Sequence, residues 1–149
     1  ASELQNELLN RLLTAFTHCN VYTTFWTFAG VPTERVYHNY SVLLRLQGVE
    51  TNQVGAYLNE HRLDVKHYFY ENWQQLYGTV SDDWFAPRIN KITGDYQQFV
   101  KNDFIAELKK FRLDYVVLDK TATTSPMFHS WFKNQPIFSD DRFEVYPFE

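Results

Sequence analysis

Phe85, Ile89, Ile92, Tyr96 and Phe99 recur every three or four residues, and this stripe is the strongest constraint the chain carries. Only a long amphipathic helix brings all five to one side. Ser81, Asp82 and Asp83 mark its start, because their oxygens accept from free amide groups and their charge complements the positive end of the helix dipole. The same spacing recurs elsewhere. Ser2 and Gln5 have the capping-box spacing, and Leu4, Leu8, Leu12 and Phe16 predict a helix over 2–17. Thr33 is placed to cap a helix carrying Val36, Tyr40, Leu43 and Leu44, with Gly48 as its left-handed stop. A shorter helix is expected over 52–61. From Asp64, the residues Val65, Tyr68, Phe69, Trp73 and Leu76 share one helical face up to Gly78. Asp103 should cap a separate segment with Phe104, Ile105, Leu108 and Phe111, after a kink near Gly94 or Asn102.

The period changes at Leu113. Leu113 to Leu118 is almost continuously apolar and β-branched or aromatic, which predicts a strand covered on both faces, at the centre of a parallel sheet. Residues 20–28 and 143–148 alternate at the pleated period, with Pro147 requiring an edge position or a strand end. Between the last two strands, Ser125 and Pro126 suit the start of a short helix bearing Phe128, Trp131 and Phe132, and 139–142 reads as a turn. The expected fold is a helix-rich mixed α/β domain spanning 1–149. Its small sheet of about three strands, near 20–28, 113–119 and 143–148, is packed among helices.

Composition narrows the function. Thirteen Phe, ten Tyr and four Trp against five Gly and five Pro exclude a disordered chain, and 149 residues can bury a core without disulfide or metal support. The net charge of −4 includes no long basic run, so no nucleic-acid partner is expected. Cys19 is the single cysteine, which excludes an internal disulfide and a multi-cysteine zinc site. No apolar stretch reaches the length of a spanning helix. With Ala1 first and no signal peptide, the chain reads as a processed product or a soluble piece of something longer.

No residue pattern names a reaction, and neither a catalytic residue, a metal site nor a cofactor is expected. Cys19 follows His18 with no third group to orient the imidazole. His18, His38, His61, His67 and His129 form no HExxH or i, i+4 pair. Asp82 with Asp83, and Asp140 with Asp141, each follow a serine and read as caps or turns. The sequon Asn39-Tyr40-Ser41 falls mid-helix. Flat rings admit sugar stacking, with Tyr22, Trp26, Trp84 and Trp131 as candidates, although aromatics at these spacings ordinarily form core. The most distinctive polar cluster is Asp119, Lys120, Thr121, Thr123, Thr124 and Ser125, which follows the expected central strand where open α/β sheets hold ligands. Free amides after Ser125, and Trp131 as a stacking surface, complete the candidate ligand site.

The ending carries a resemblance. Leu108-Lys109-Lys110-Phe111-Arg112-Leu113-Asp114-Tyr115-Val116-Val117-Leu118-Asp119 is followed by Asp141-Arg142-Phe143-Glu144-Val145-Tyr146, and Ala15 to Tyr22 and Glu34 to Tyr37 add shorter pieces. The pattern resembles the soluble C-terminal extracytoplasmic domain of bacterial multi-spanning membrane proteins related to the GT-C glycosyltransferases. That resemblance implies a terminal helix, strand, helix, strand order and a place on the extracytoplasmic face of a membrane. It also implies, as first partner, a membrane-embedded part of the same polypeptide. Carbohydrate, lipid head group or another protein would be the outer contact. The catalytic carboxylates of that family lie in loops between spans, so none carries over. Two other readings stay open, a free-standing carbohydrate- or peptide-binding module and a small enzyme without a recognisable motif.

Overall fold

The structure is a computed structural model that describes residues 31–122 and 124–148. The helix expected over 2–17 and the strand expected near 20–28 lie outside the described residues. The described part is helix-rich, with one small three-stranded antiparallel sheet. It divides into two compact units, 31–45 with 49–101, and 46–48 with 102–148.

The first unit is helical. Helix α1, Thr33–Leu46, starts one residue earlier than a Thr33 cap would require, because the Pro32 carbonyl takes the amides of Arg35 and Val36. Its Val36, Tyr40 and Leu44 are buried as their spacing predicts, together with Asn39, Ser41 and Val42. The sequon is therefore sealed inside the helix packing. Helices α2, Val54–Glu60, and α3, Arg62–Phe69, pack against α5, Asp82–Phe99. All five stripe residues of α5 are buried, with Tyr96 and Ile92 at 0% and 1% exposure. The Tyr96 hydroxyl donates to the Val49 carbonyl at 2.7 Å. Tyr40 meets Tyr68 and Phe69 at ring-centroid distances of 4.7 and 5.2 Å, which gives the core an aromatic centre.

Val65 through Leu76 is not one helix. Tyr70 is extended (φ −64°, ψ 145°), and α4, Trp73–Tyr77, begins anew with Asn72 Oδ1 accepting from the Gln75 amide at 2.9 Å. Asparagine competes for backbone donors and so favours this restart over continued helix. The apolar phase is kept across the break at Leu76, but Trp73 is released to solvent at 65% exposure. The expected core position of Trp73 is thus corrected.

The second unit holds α6, Phe104–Leu108, α7, Phe128–Trp131, and the sheet. Asp103 caps α6 through Oδ1 and the Ala106 amide at 2.8 Å, as its position predicts. Phe111 lies beyond the helix. Strands β1, Tyr115–Asp119, β2, Phe138–Ser139, and β3, Phe143–Pro147, are all antiparallel in the order β1-β3-β2. This corrects the parallel, central placement of 113–118. Within the described sheet β1 pairs with β3 alone, and its Tyr115 and Val117 are 52% and 39% exposed. The β2 strand falls where a plain turn was expected to begin.

Register explains the asymmetry. Val117, Val145 and Phe138 form one row across three strands on the open face. Val116 pairs with Tyr146, whose ring packs on Phe128 and Phe132 of the α7 region at 5.5 and 6.4 Å. Among the described residues, one face is covered by the α7 region and the other is left more exposed. Gly48 also belongs to this unit, at φ +76°, with its α-carbon facing Ser125.

Candidate functional site

The loop after β1 is built around one carboxylate. Asp119 is buried at 7% exposure, and its Oδ1 accepts from the amide and hydroxyl of Thr121 at 2.9 and 2.6 Å. Its Oδ2 accepts from Arg142 Nε and Nη2 at 3.1 and 2.8 Å. The Arg142 guanidinium, aided by Thr121, holds the Asp119 carboxyl well below its ordinary range, at about 2, against the opposing effect of burial. Asp140 is a turn cap, accepting from the amides of Phe143 and Arg142 at 2.6 and 2.8 Å, and these bonds lower its pKa. Lys120 joins the same clasp, its amide donating to the Arg142 carbonyl at 2.8 Å and its ammonium to the Asp140 carbonyl.

The remaining loop residues are tied more locally. Thr124 donates to the Ala122 carbonyl at 3.3 Å, and Thr123 lies outside the described residues. Ser125 is buried. Its amide donates to the Leu46 carbonyl at 2.6 Å and its hydroxyl accepts from the Met127 amide at 3.2 Å, which closes a turn ahead of α7; the helix itself starts at Phe128 with Met127 as N-cap, a correction to the expected start at Ser125 and Pro126. Trp131 packs on Phe104 at 4.3 Å and lines a shallow groove with Ile105, Phe132, Lys133 and Phe148. Asp119, Lys120, Thr121, Thr124 and Ser125 do not line that groove. The structure therefore brings Asp119, Lys120 and Thr121 together with Arg142 and Asp140, and places Trp131 in a different setting. The antiparallel order also removes the strand-end crevice that the sequence expectation for this loop depends on.

Arg142 is the residue that sequence reasoning missed. In the sequence it reads as part of a turn, and its one signal is its place in the same terminal pattern as Asp119. Of the ring candidates, Trp84 lies beneath the Arg88 guanidinium at 4.0 Å, and Tyr22 and Trp26 fall outside the described residues. The exposed pair is another one. Trp73 and Tyr77 are 65% and 73% exposed, with centroids 5.8 Å apart and planes within 9°. Their i, i+4 spacing is visible in the sequence, where the helical pattern places Trp73 on the core face.

Three other titratable groups are held by neighbours within the packing. Glu107 is buried between Asn102 and Lys110, at 2.8 Å from each through Oε1. Asp82 pairs with Arg62, and His61 stacks on Tyr57 at 3.9 Å. Among the described residues, no three His, Cys, Asp or Glu side chains converge as a metal site would require, and no helix is long and apolar enough to cross a membrane. No family model, curated protein or solved structure matches this chain.

Proposed function

We propose that this chain is a non-catalytic extracytoplasmic domain of a bacterial multi-spanning membrane protein related to the GT-C glycosyltransferases. Its first partner is the membrane-embedded part of the same polypeptide, and its outer surface meets carbohydrate, lipid head group or protein. The observation that supports this reading is the pairing of Asp119 with Arg142. Each belongs to one of the two motif pieces that carry the resemblance. The ion pair gives those pieces a common structural purpose, which is to close the end of β1 on the start of β3. It also commits the best-placed carboxylate to holding the fold, where a catalytic acid or base would need a pKa nearer the working pH.

Fractionation of cells expressing the full-length natural gene tests the reading. The epitope of this domain should stay with the membrane after high-salt and carbonate washes, and protease added outside the cytoplasmic membrane should remove it. Recovery in the soluble cytosolic fraction overturns the proposal. The alternative of a free-standing carbohydrate- or peptide-binding module is favoured by the exposed rings of Trp73 and Tyr77. Release of the intact chain outside the cell, without a membrane-bound form, would favour that alternative.

A further inference from the structure

We infer that the outer edge of β1 pairs with the same edge of a second copy of this chain, antiparallel about a two-fold axis at Val117. The bonds at either end of β1 fix which backbone groups face outward. The Phe148 amide donates to the Asp114 carbonyl at 2.9 Å, and the Lys120 amide to the Arg142 carbonyl at 2.8 Å. Bonded residues alternate in an antiparallel ladder, so Asp114, Val116, Leu118 and Lys120 turn their backbone groups towards β3. Tyr115, Val117 and Asp119 therefore turn theirs away from it. Among the described residues, no strand and no hydrogen bond takes the amide or carbonyl of Tyr115 or Val117 on that side. Tyr115 to Asp119 contains no proline, and its unbroken register with β3 contains no bulge, so the edge lacks two of the usual devices against pairing.

The register selects the occupant. With Val117 opposite the partner's Val117, the outward groups of one strand meet those of the other. The two valines exchange both backbone bonds, and the Asp119 amide reaches the partner's Tyr115 carbonyl. Val116 then falls opposite the partner's Leu118, and Asp114 opposite the partner's Lys120. Among the described residues the Lys120 ammonium bonds the Asp140 carbonyl and no carboxylate, so its charge gains from this contact. The two neighbouring registers that keep the outward groups matched lose the complementarity. One sets Arg112 opposite the partner's Lys120, a like-charge pair, and the other sets Lys120 opposite the partner's Val116. This self-complementarity points to a second copy over an unrelated extended segment. The pairing also joins two apolar rows, since Phe138, Val145 and Val117 run on into the partner's Val117 across a doubled sheet. Assembly stops there, because the new outer edges are the β2 strands, only two residues long.

Self-pairing goes beyond the proposed function and stands apart from the membrane placement, because it is measured on the chain alone. Five residues per strand bury less than the ~800 Å² per partner of a standard interface, so the dimer should be weak, with a Kd on the order of 10–100 μM. Sedimentation equilibrium up to millimolar chain should show this monomer–dimer exchange. Val117→Asp sets two carboxylates face to face at the axis and should leave the chain monomeric. Lys120→Glu should weaken the dimer at least about tenfold, and adding Asp114→Lys should restore it. Disulfide trapping reads the register. In a Cys19→Ser background, oxidised Val117→Cys should crosslink two copies, since opposed α-carbons of a bonded pair stand about 5.5 Å apart. Tyr115→Cys, displaced along the strand from its own copy, should not. Asp114, Tyr115, Val117 and Lys120 are all exposed, and thermal melting of each variant verifies the fold. A chain that stays monomeric at millimolar concentration overturns the inference. So does a dimer that Val117→Asp and Lys120→Glu leave intact, or one that Tyr115→Cys crosslinks as readily as Val117→Cys.

Discussion

Arg142 approaches Asp119 side-on, with Nε and Nη2 at 3.1 and 2.8 Å from the same oxygen, Oδ2, while Thr121 occupies the other oxygen. The carboxylate is thereby satisfied on both sides although it is removed from water. Four donors on one buried anion favour the charged form strongly, which is why the acid is held so low.

The sign of the resulting pH dependence follows from that direction. Asp119 ionises at about 2 when folded and near its ordinary 3.8 when unfolded. Its contribution is present above pH 3.8 and is lost as pH falls through 2. Asp119→Asn should cost about 1–3 kcal/mol at neutral pH, the scale of hydrogen bonds to a charged group, and should flatten the acid limb between these values. Urea unfolding from pH 2 to 7 measures both effects. An equally steep limb in the variant would contradict the assignment.

The open face of β1 makes two adjacent valines unequal. Val117→Asp places a carboxylate on the face that is already 39% exposed and should cost under about 1 kcal/mol. Val116→Asp lies opposite the buried Tyr146 and should cost several times more, on the order of 3 kcal/mol. Chemical denaturation of the two variants gives the ratio directly. Equal costs would mean that both faces of β1 are covered.

Gly48→Ala should destabilise the chain by about 1–3 kcal/mol, since a left-handed L-residue is strained and the new methyl meets packed backbone. The φ is +76°, and the Cβ would sit 3.2 Å from Ser125 Cα. Thermal melting is the readout, and a wild-type midpoint would argue against this backbone conformation.

Tyr146 titrates in the opposite regime. Burial, reinforced by its hydrogen bond to the Glu144 carboxylate at 2.5 Å, pushes its phenol up to about 12. Stability from this group is complete below its unfolded value of 10.0 and is lost as pH rises through 12. An absorbance titration of phenolate should show a late-ionising tyrosine that disappears in Tyr146→Phe. Loss of no late step in that variant would refute it.

What the sequence determined by itself was local. The stripe Phe85, Ile89, Ile92, Tyr96 and Phe99, the Asp103 cap and the left-handed Gly48 were legible because each depends on residues within a few positions of one another. Helix spacing, cap chemistry and glycine conformation need no knowledge of distant chain. Tertiary structure decided the rest. An apolar run such as Leu113 to Leu118 has the same composition whether one face or two are covered, and pairing with β3 and cover from α7 on a single side settled that. Trp73 has the helical spacing of Val65, Tyr68 and Phe69 in the sequence yet lies outside the core, because the break at Tyr70 and the restart at Asn72 redirect it. The meeting of Asp119 with Arg142 spans 23 residues of sequence, and no local rule joins them. Only the antiparallel return of β3 brings opposite charges at that separation to hydrogen-bonding distance, where the loss of water makes each require the other.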